Sequence, residues 1–271
     1  MDDAIVMVLM NHKGGVGKTT VATNLAHGLA LRGKKVLVID HDAQCNSTYI
    51  LLPKDVPVAE ISTLYDLYKP GGTTDVHECI HTTRFDNVHI LPNRQKIAML
   101  EDGLVESKKT SQFLAKKIID EIRGDYDFII FDTPPTLNFW VTTTLKAAHF
   151  VIVPIEAGSK FALEGLSGAI EAIEAIAMTA NPQLRFLRLL INKVDLRTTA
   201  TKVSVEYINA KFGKDKTFAT CIPDNTMVKQ AEMLRTTVLR HAAGSKASAK
   251  YKELVEELLT ILDAEQYKLG V

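Results

Sequence analysis

A glycine-rich loop near the amino terminus constrains the fold of this chain more than any other feature. Apolar residues 5–10 run directly into His12-Lys13-Gly14-Gly15-Val16-Gly17-Lys18-Thr19-Thr20, and the apolar-periodic segment 21–31 follows at once. The three glycines let backbone amides converge on an anion without interference from Cβ atoms, and the start of a helix adds partial positive charge. This order predicts a strand, a phosphate-binding loop and a helix.

The polar side chains at the end of this loop suit a nucleotide bound with magnesium. Lys18 supplies a point charge to the β and γ phosphates, Thr19 can coordinate Mg²⁺ through its hydroxyl, and Thr20 can reach the α-phosphate. A glycine turn of purely structural purpose explains none of these side chains. The predicted nucleotide-binding residues of the loop are Gly14, Gly15, Val16, Gly17, Lys18, Thr19 and Thr20.

Short β-rich runs alternate with longer helical patterns along the whole chain. The strands are predicted at Ala4–Met10, Val36–Asp40, Val88–Leu91, Phe128–Asp132, Phe150–Ile155, Leu187–Ile191 and Thr217–Ile222. The helices are predicted at Lys18–Arg32, Thr110–Arg123, Asn138–Ala148, Lys160–Thr179, Ala200–Phe212, Thr226–Leu234 and Ser245–Ala264. This alternation predicts an α/β fold in one domain, 1–271, with a mostly parallel twisted sheet and helices on both faces. Residues 53–72 read as an insertion carrying a short helix.

Composition narrows the class of protein. The 32 basic and 32 acidic residues cancel, so any site for a polyanion must be a local patch. Cys45, Cys79 and Cys221 are widely spaced, which argues against a disulfide framework and a zinc site. The start of the chain is acidic and no apolar run approaches the roughly 20 residues that span a bilayer, so we expect a cytoplasmic protein.

Carboxylates follow two of the predicted strands. Strand alternation puts Asp40 and Asp42 on one side of the second strand at its carboxyl end, the edge where such sheets bind ligands. Asp132 ends another apolar strand, as a Walker B carboxylate does, and is expected to hold a magnesium-bound water. Helix capping is the alternative role for Asp40 and Asp42.

Four segments carry a resemblance to a known family. K-G-G-x-G-K-T-T at 13–20 resembles the deviant Walker A signature of the ParA/MinD group of P-loop NTPases, and residues 40–46 resemble its D-x-D-P-Q-x-N segment. Asn192 to Arg197 resembles N-x-x-D-x-R, and Ile222 to Asn225 resembles I-P-x-N. From end to end the chain is similar to the small ParA/Soj-type partition ATPases without an N-terminal DNA-reading domain.

That resemblance implies ATP and Mg²⁺ as ligands and a role for each site residue. Lys13 would reach across a dimer interface to the nucleotide of the partner copy, and Asp42 would position the hydrolytic water. Asp40 would support the magnesium shell, so the expected metal set is Thr19, Asp40 and Asp132. The expected catalytic set is Lys13, Lys18 and Asp42, and Asn192, Pro223 and Asp224 would belong to the loops that flank the adenine. Ala43 replaces the usual proline of the family.

The resemblance also implies an assembly cycle. A monomer dimerises on ATP, the dimer binds DNA of the nucleoid without sequence preference, and a ParB-like partner stimulates slow hydrolysis and release. Such DNA binding needs clustered lysines and arginines, and the candidates are Arg235, Arg240, Lys246 and Lys250. A solvated basic face is the alternative, and Asp224 stands where many relatives carry an arginine.

Other functions share parts of this pattern. Asn192-Lys193-Val194-Asp195 looks like the guanine-reading motif of GTPases, so GTP is a second possible ligand. A MinD-like membrane ATPase needs a basic amphipathic helix at the carboxyl terminus, which residues 263–271 do not provide. An iron-sulfur relative needs paired cysteines, which are missing. A ParA-like positioner of protein cargo would share every motif and stays open.

Overall fold

The computed structural model describes residues 3–106, 113–156, 162–195 and 197–269. The described residues form a seven-stranded sheet in the order β3-β4-β2-β5-β1-β6-β7. Its strands are β1 (Ile5–Leu9), β2 (Val36–Asp40), β3 (His81–Thr82), β4 (Val88–Leu91), β5 (Phe128–Asp132), β6 (Phe150–Glu156) and β7 (Arg185–Asn192). All neighbouring pairs are parallel except β3 with β4.

Helices connect these strands and cover both faces of the sheet. They are α1 (Lys18–Ala30), α2 (Asn46–Leu51), α3 (Leu64–Tyr68), α4 (Glu101–Glu106), α5 (Leu114–Ile122), α6 (Phe139–Leu145), α7 (Ala162–Thr179), α8 (Thr199–Phe212), α9 (Thr226–Met233), α10 (Val238–His241) and α11 (Lys246–Leu269). None of the helices described is long and apolar enough to cross a bilayer.

The core lies in two layers because successive residues of a strand point to opposite faces. Val6 and Val8 of β1 pack with buried residues of α5, α6 and α7, whereas Met7 and Leu9 pack with α1 and α11. The central strands β1, β2, β5 and β6 are buried on both faces, as expected when helices cover a parallel sheet. The predicted α/β fold with helices on both faces is confirmed.

The sheet order brings the functional strand ends together. β1 lies between β5 and β6, and β5 also pairs with β2. In register, Leu9 lies beside Asp132, and Asp40 lies beside Asp132 on the other side. The loop after β1 and the carboxylates of β2 and β5 therefore share one edge of the sheet.

The predicted strand at Thr217–Ile222 is wrong. This segment runs beside β7, where the amides of Phe218 and Ile222 donate to the Leu189 and Ile191 carbonyls at 2.8 and 3.0 Å, but it forms only one isolated bridge, at Thr217. The amides of Ala219 and Thr220 donate to the carboxylate of Glu257 on α11, at 2.6 and 2.9 Å. Because a side chain takes these two amides, the segment cannot continue as a ladder with β7.

Other differences concern short or partly described elements. The two-residue β3 and the short helices α2, α4 and α10 were not predicted, because so few residues carry no readable period. The insertion at 53–72 does contain a short helix, α3, whose start is held by a capping box of Thr63 and Asp66. The predicted helices starting at Thr110 and Lys160 begin outside the described residues, and their described parts are α5 and α7.

A buried histidine joins α1 to the start of α10. The Nδ1 atom of His27 lies 2.6 Å from the Thr237 hydroxyl, and its ring packs on Phe85 with 4.3 Å between centroids. Burial, with a smaller contribution from Arg240, lowers the pKa of His27 from 6.5 to about 4. His27 is therefore neutral in the folded protein at neutral pH.

We expect the free energy of unfolding to fall as the pH drops from 6.5 towards 4. The pKa of this histidine is near 6.5 in the unfolded chain and about 4 in the folded chain, so at pH 5 the unfolded chain binds the proton more strongly. This difference lowers the free energy of unfolding by about 2 kcal/mol at pH 5. Urea titrations at pH 7 and pH 5 measure the loss. His27→Gln cannot titrate, so its loss should be smaller by about that amount. Equal losses in the two proteins would contradict this assignment.

Candidate functional site

Two glycines of the loop after β1 occupy backbone conformations that other residues avoid. Gly15 has φ +77° and Gly17 has φ +91°. A Cβ atom on Gly17 would lie 2.4 Å from Nδ2 of Asn192. That same amide donates to the Val16 carbonyl at 2.8 Å. Asn192, at the end of β7, therefore fastens the loop from a distant part of the chain.

A cavity of about 640 Å³ opens over this loop. Nine of the ten predicted nucleotide-binding residues line it. The exception is Val16, whose side chain is buried and whose backbone carbonyl accepts the hydrogen bond from Asn192. The volume is in the range of small-molecule and cofactor sites. The structure thus brings the loop, Asn192, Pro223 and Asp224 around one space, as the motifs indicated.

Lys18 provides a cation in the floor of the cavity. Its side chain is only 7% exposed, and Nζ donates to the Asn11 carbonyl at 3.3 Å. Burial lowers the pKa of Lys18, and the nearby carboxylates of Asp132 and Asp42 oppose that shift. The ammonium group therefore lies within the electrostatic influence of two carboxylates and lines the cavity that a phosphate could enter.

Asp132 has one carboxylate oxygen suited to a cation. Its Oδ2 accepts a hydrogen bond from the Ser47 hydroxyl at 2.5 Å, whereas its buried Oδ1 accepts none within the described part of the chain. Burial raises the pKa of Asp132, and the hydroxyls of Ser47 and Thr19 oppose the shift. An unsatisfied buried carboxylate oxygen beside a threonine hydroxyl fits Mg²⁺, which prefers oxygen ligands.

Asp40 makes different contacts. Its Oδ2 accepts from the amide and the hydroxyl of Thr48, at 2.8 and 2.7 Å, and its Oδ1 accepts from the Asp42 amide at 3.2 Å. Burial first, then the neighbouring Asp132, raises the pKa of Asp40. The carboxylate thus caps α2 and holds the loop that carries Asp42, so any support for a metal would act through these contacts.

Asp42 lines the cavity. Its Oδ1 accepts a hydrogen bond from the Gln44 amide at 2.9 Å. The preceding side chain, His41, is fully buried against Tyr68 and Trp140, and its Nε2 lies 3.0 Å from the Tyr68 hydroxyl. These contacts of His41 with two aromatic side chains hold the backbone between Asp40 and Asp42 in place. Asp42 therefore faces the cavity on a supported loop.

Lys13 is not among the residues that line the cavity. Its Nζ is 3.1 Å from Oε2 of Glu156 at the end of β6, and both side chains are about one third exposed. Its amide donates to Oδ1 of Asn11 at 2.9 Å. Lys13 is therefore accessible from outside the protomer and is held by an ion pair of moderate exposure.

The loops after β7 and before α9 are joined by backbone hydrogen bonds. The Val194 amide donates to the Ile222 carbonyl at 2.9 Å, and the Asp224 amide donates to the Val194 carbonyl at 3.1 Å. Asp195 is bonded through both carboxylate oxygens to exposed Arg197, at 2.8 and 2.7 Å. Leu196 between them lies outside the described residues. Asp195 does not line the cavity.

Two of the predicted basic residues meet a third that was not predicted. Arg240 donates to the backbone carbonyl of Arg84 at 2.8 Å, and Arg235 donates to the Tyr49 carbonyl at 2.6 Å. Burial lowers the pKa of Arg84, and the charges of Arg240 and Arg235 lower it further. These three side chains, here called the arginine cluster, form a local positive patch.

The predicted lysines lie on α11. Lys246 is exposed at the first residue of that helix, and Lys250 pairs with Glu253 at 2.5 Å. They share a helix face by their spacing, as predicted. Of the two lysines, Lys250 therefore already has its charge balanced by a carboxylate of the same helix.

Sequence reasoning missed several residues of the cavity. Lys193 has φ +54° and donates from Nζ to the Gly15 carbonyl at 2.5 Å. Glu232 of α9 and Tyr251 of α11 also line the cavity. The position of Lys193 beside Asn192 was a usable signal, whereas Glu232 and Tyr251 belong to ordinary amphipathic helices with no motif.

Known proteins resemble this chain over nearly its whole length. Residues 4–186 match the AAA domain family model. The chromosome-partitioning ATPase Soj of Treponema pallidum is 32% identical over 93% of this chain and 96% of that protein. The chromosome-partitioning ATPase Soj of Thermus thermophilus is 33% identical over 93% and 94%. Cobyrinic acid a,c-diamide synthase from Mycobacterium smegmatis, solved with bound ADP and magnesium, has a TM-score of 0.79 at 26% identity over 97% and 96%.

Proposed function

Since this chain belongs to the ParA/Soj-type ATPases of the ParA/MinD family, we propose that it is a single-domain partition switch operated by ATP. ATP and Mg²⁺ bind on the loop after β1, and two copies then pair face to face. The dimer holds DNA of the nucleoid without sequence preference until a ParB-like partner speeds hydrolysis. The observation that carries this proposal is the placement of the glycine loop, Lys18 and Asp42 around one cavity of nucleotide size.

The loop and Lys18 bind the phosphates in this proposal. Backbone amides at the start of α1 and the buried ammonium of Lys18 supply positive charge where the nucleotide is negative. Asn192, Pro223 and Asp224 line the part of the cavity that would receive the base. The carboxylate of Asp195, which a GTPase would use to read guanine, is bonded to Arg197 instead. This contact favours ATP over GTP.

The metal would be held by the Thr19 hydroxyl and by Asp132, directly or through water. Bound Mg²⁺ neutralises phosphate charge and stabilises the transferring phosphoryl group. Asp40 is assigned a positioning role, because its oxygens hold Thr48 and the Asp42 amide. Oδ1 of Asp132, which accepts no hydrogen bond among the described residues, is the oxygen that the cation or its water would meet.

Hydrolysis would depend on residues from both copies. Asp42 orients the attacking water, since its carboxylate lines the cavity and is near enough to oppose the lowered pKa of Lys18. Lys13 leaves Glu156 and reaches the phosphates of the partner copy, which neutralises charge only when the dimer is closed. Turnover is therefore slow in isolated monomers and can act as a timer for assembly.

The arginine cluster is the proposed DNA surface, with Lys246 and Lys250 as further contacts. Arg84, Arg235 and Arg240 place three positive charges close together. Phosphate groups of DNA would relieve the repulsion between these charges. Contacts of this kind read the backbone of DNA and not its sequence. The balanced charge of the whole chain makes such a local patch necessary.

We expect Arg235→Ala/Arg240→Ala to weaken ATP-dependent binding to duplex DNA by about tenfold or more. If both arginines touch phosphates, the slope of log affinity against log salt concentration should fall by about 2. Fluorescence anisotropy with a short duplex at several salt concentrations measures both quantities, with and without ATP.

A matched control removes the same charge at the opposite edge of the sheet. Arg185 and Arg188 lie on β7, whereas Arg84 lies between β3 and β4. Arg185→Ala/Arg188→Ala should leave the affinity nearly unchanged. Equal losses in both double variants would refute the arginine cluster. An ATP-dependent dimer of wild type without DNA affinity would favour positioning of a protein cargo.

A further inference from the structure

An acidic side chain occupies part of the nucleotide cavity. Glu232, near the end of α9, accepts a hydrogen bond from the hydroxyl of Thr20, near the start of α1. Both residues line the cavity. Thr20 is the residue that the loop motif places within reach of the α-phosphate of the proposed nucleotide. A carboxylate is therefore bound where a phosphate oxygen is expected.

The carboxylate and the phosphate cannot share this position. Both are anions, and one hydroxyl proton can serve only one strong acceptor at a time. Repulsion between like charges grows as they lose contact with water, and Glu232 is half-buried in the cavity wall. Entry of a nucleotide must therefore move the Glu232 carboxylate away from Thr20.

A buried hydroxyl close by can receive the displaced carboxylate. Tyr251 of α11 lines the same cavity, is fully buried, and its hydroxyl has no hydrogen-bond partner among the described residues. Burial raises the pKa of Tyr251, and the nearby charge of Glu232 raises it further. Buried polar groups without partners are rare and costly, and a carboxylate is a strong acceptor for a phenol.

We propose that Glu232 is a two-position gate, which opposes nucleotide binding while it holds Thr20 and transfers to the Tyr251 hydroxyl when the α-phosphate takes its place. The gate rests on the proposed nucleotide site. It adds to that proposal a mechanism that regulates nucleotide entry. Because ADP and ATP both carry an α-phosphate, the gate acts on both alike. Lys13, by contrast, distinguishes ATP through dimerisation.

The first test removes the charge of the gate. Glu232→Gln should bind Mg·ADP and a non-hydrolysable Mg·ATP analogue at least about fivefold more tightly than wild type in calorimetry, by a similar factor for both. Glu256→Gln is the control, because Glu256 is an exposed glutamate that pairs with Arg32 outside the cavity. Its nucleotide affinity should equal that of wild type. Unchanged affinity in Glu232→Gln would overturn the gate.

The second test removes the receiving hydroxyl. Tyr251→Phe should leave the nucleotide-free protein as stable as wild type or more so, because a buried unsatisfied group is lost. It should weaken ADP binding by about threefold. In Glu232→Ala/Tyr251→Phe, compared with Glu232→Ala, that weakening should vanish because no carboxylate remains to be received. A persistent loss there would overturn the role of Tyr251.

These measurements separate the gate from the function on which it rests. They use nucleotide affinity and need neither DNA nor a dimer. Failure of wild type to bind any nucleotide would remove the proposed function, and with it the gate. Normal binding by wild type with no response to Glu232→Gln would remove the gate alone.

Discussion

Asp42→Ala is expected to lower the rate of ATP hydrolysis by at least about a hundredfold while nucleotide binding stays within a few-fold of wild type. The side chain lines the cavity, and its Oδ1 is fixed by the Gln44 amide, so it can orient a water molecule. The contacts of the phosphates with the loop and Lys18 do not include Asp42. Loss of the carboxylate should therefore slow the chemical step and not the binding step.

The consequence for assembly is equally large. If hydrolysis ends the ATP-bound dimer, Asp42→Ala should remain dimeric with ATP long after wild type has returned to monomer. Phosphate release and size-exclusion chromatography with light scattering measure the two effects. Asp120→Ala, which removes an exposed aspartate paired with Lys116, serves as the control and should behave as wild type. Hydrolysis by Asp42→Ala at the wild-type rate would remove Asp42 from its assigned role.

Lys13→Ala should abolish ATP-dependent dimerisation while much of the nucleotide affinity remains. The side chain pairs with Glu156 and does not line the cavity, whereas Lys18 does. Removing Lys13 therefore leaves the phosphate contacts within the protomer and deletes the proposed contact with the phosphates of the partner copy. Light scattering with a non-hydrolysable ATP analogue measures the assembly.

A second variant separates the lysine from its ion pair. Glu156→Gln keeps Lys13 and removes the charge that holds it at the end of β6. This protein should still dimerise with ATP, because the lysine is the group that crosses the interface. If Lys13→Ala dimerises as wild type does, or if both variants fail alike, the contact in trans is not the function of Lys13.

Much of the nucleotide site was predictable because its chemistry is local in sequence. Glycines followed by Lys18 and Thr19 stand between a strand and a helix, and their backbone conformations follow from residue type. Asp40 and Asp132 could be assigned to one edge because parallel strands end together. Which oxygen of each carboxylate is satisfied was not predictable, since the donors Thr48 and Ser47 come from α2, a helix too short for its period to be read.

The basic surface could be predicted only in part. Arg235 and Arg240 were recognisable as neighbours in the chain, but Arg84 is 156 residues from Arg240. It joins them because the turn between β3 and β4 lies against α10. The failed strand at Thr217–Ile222 has the same origin, since Glu257 on α11 takes two of its amides. The apolar pattern of a segment does not indicate that a distant side chain such as Glu257 accepts the hydrogen bonds of its amides.

The sequence by itself determined the α/β fold class, the strand, loop and helix around Lys13 to Thr20, and the acidic strand ends. Local periodicity, glycine geometry and the shared edge of parallel strands are sufficient for these. Only the tertiary structure decided that Glu232 meets Thr20 across 212 residues, that Asn192 fastens the loop, and that three arginines converge. The order of strands and the packing of helices bring these side chains together, and no pattern of neighbouring residues encodes that proximity.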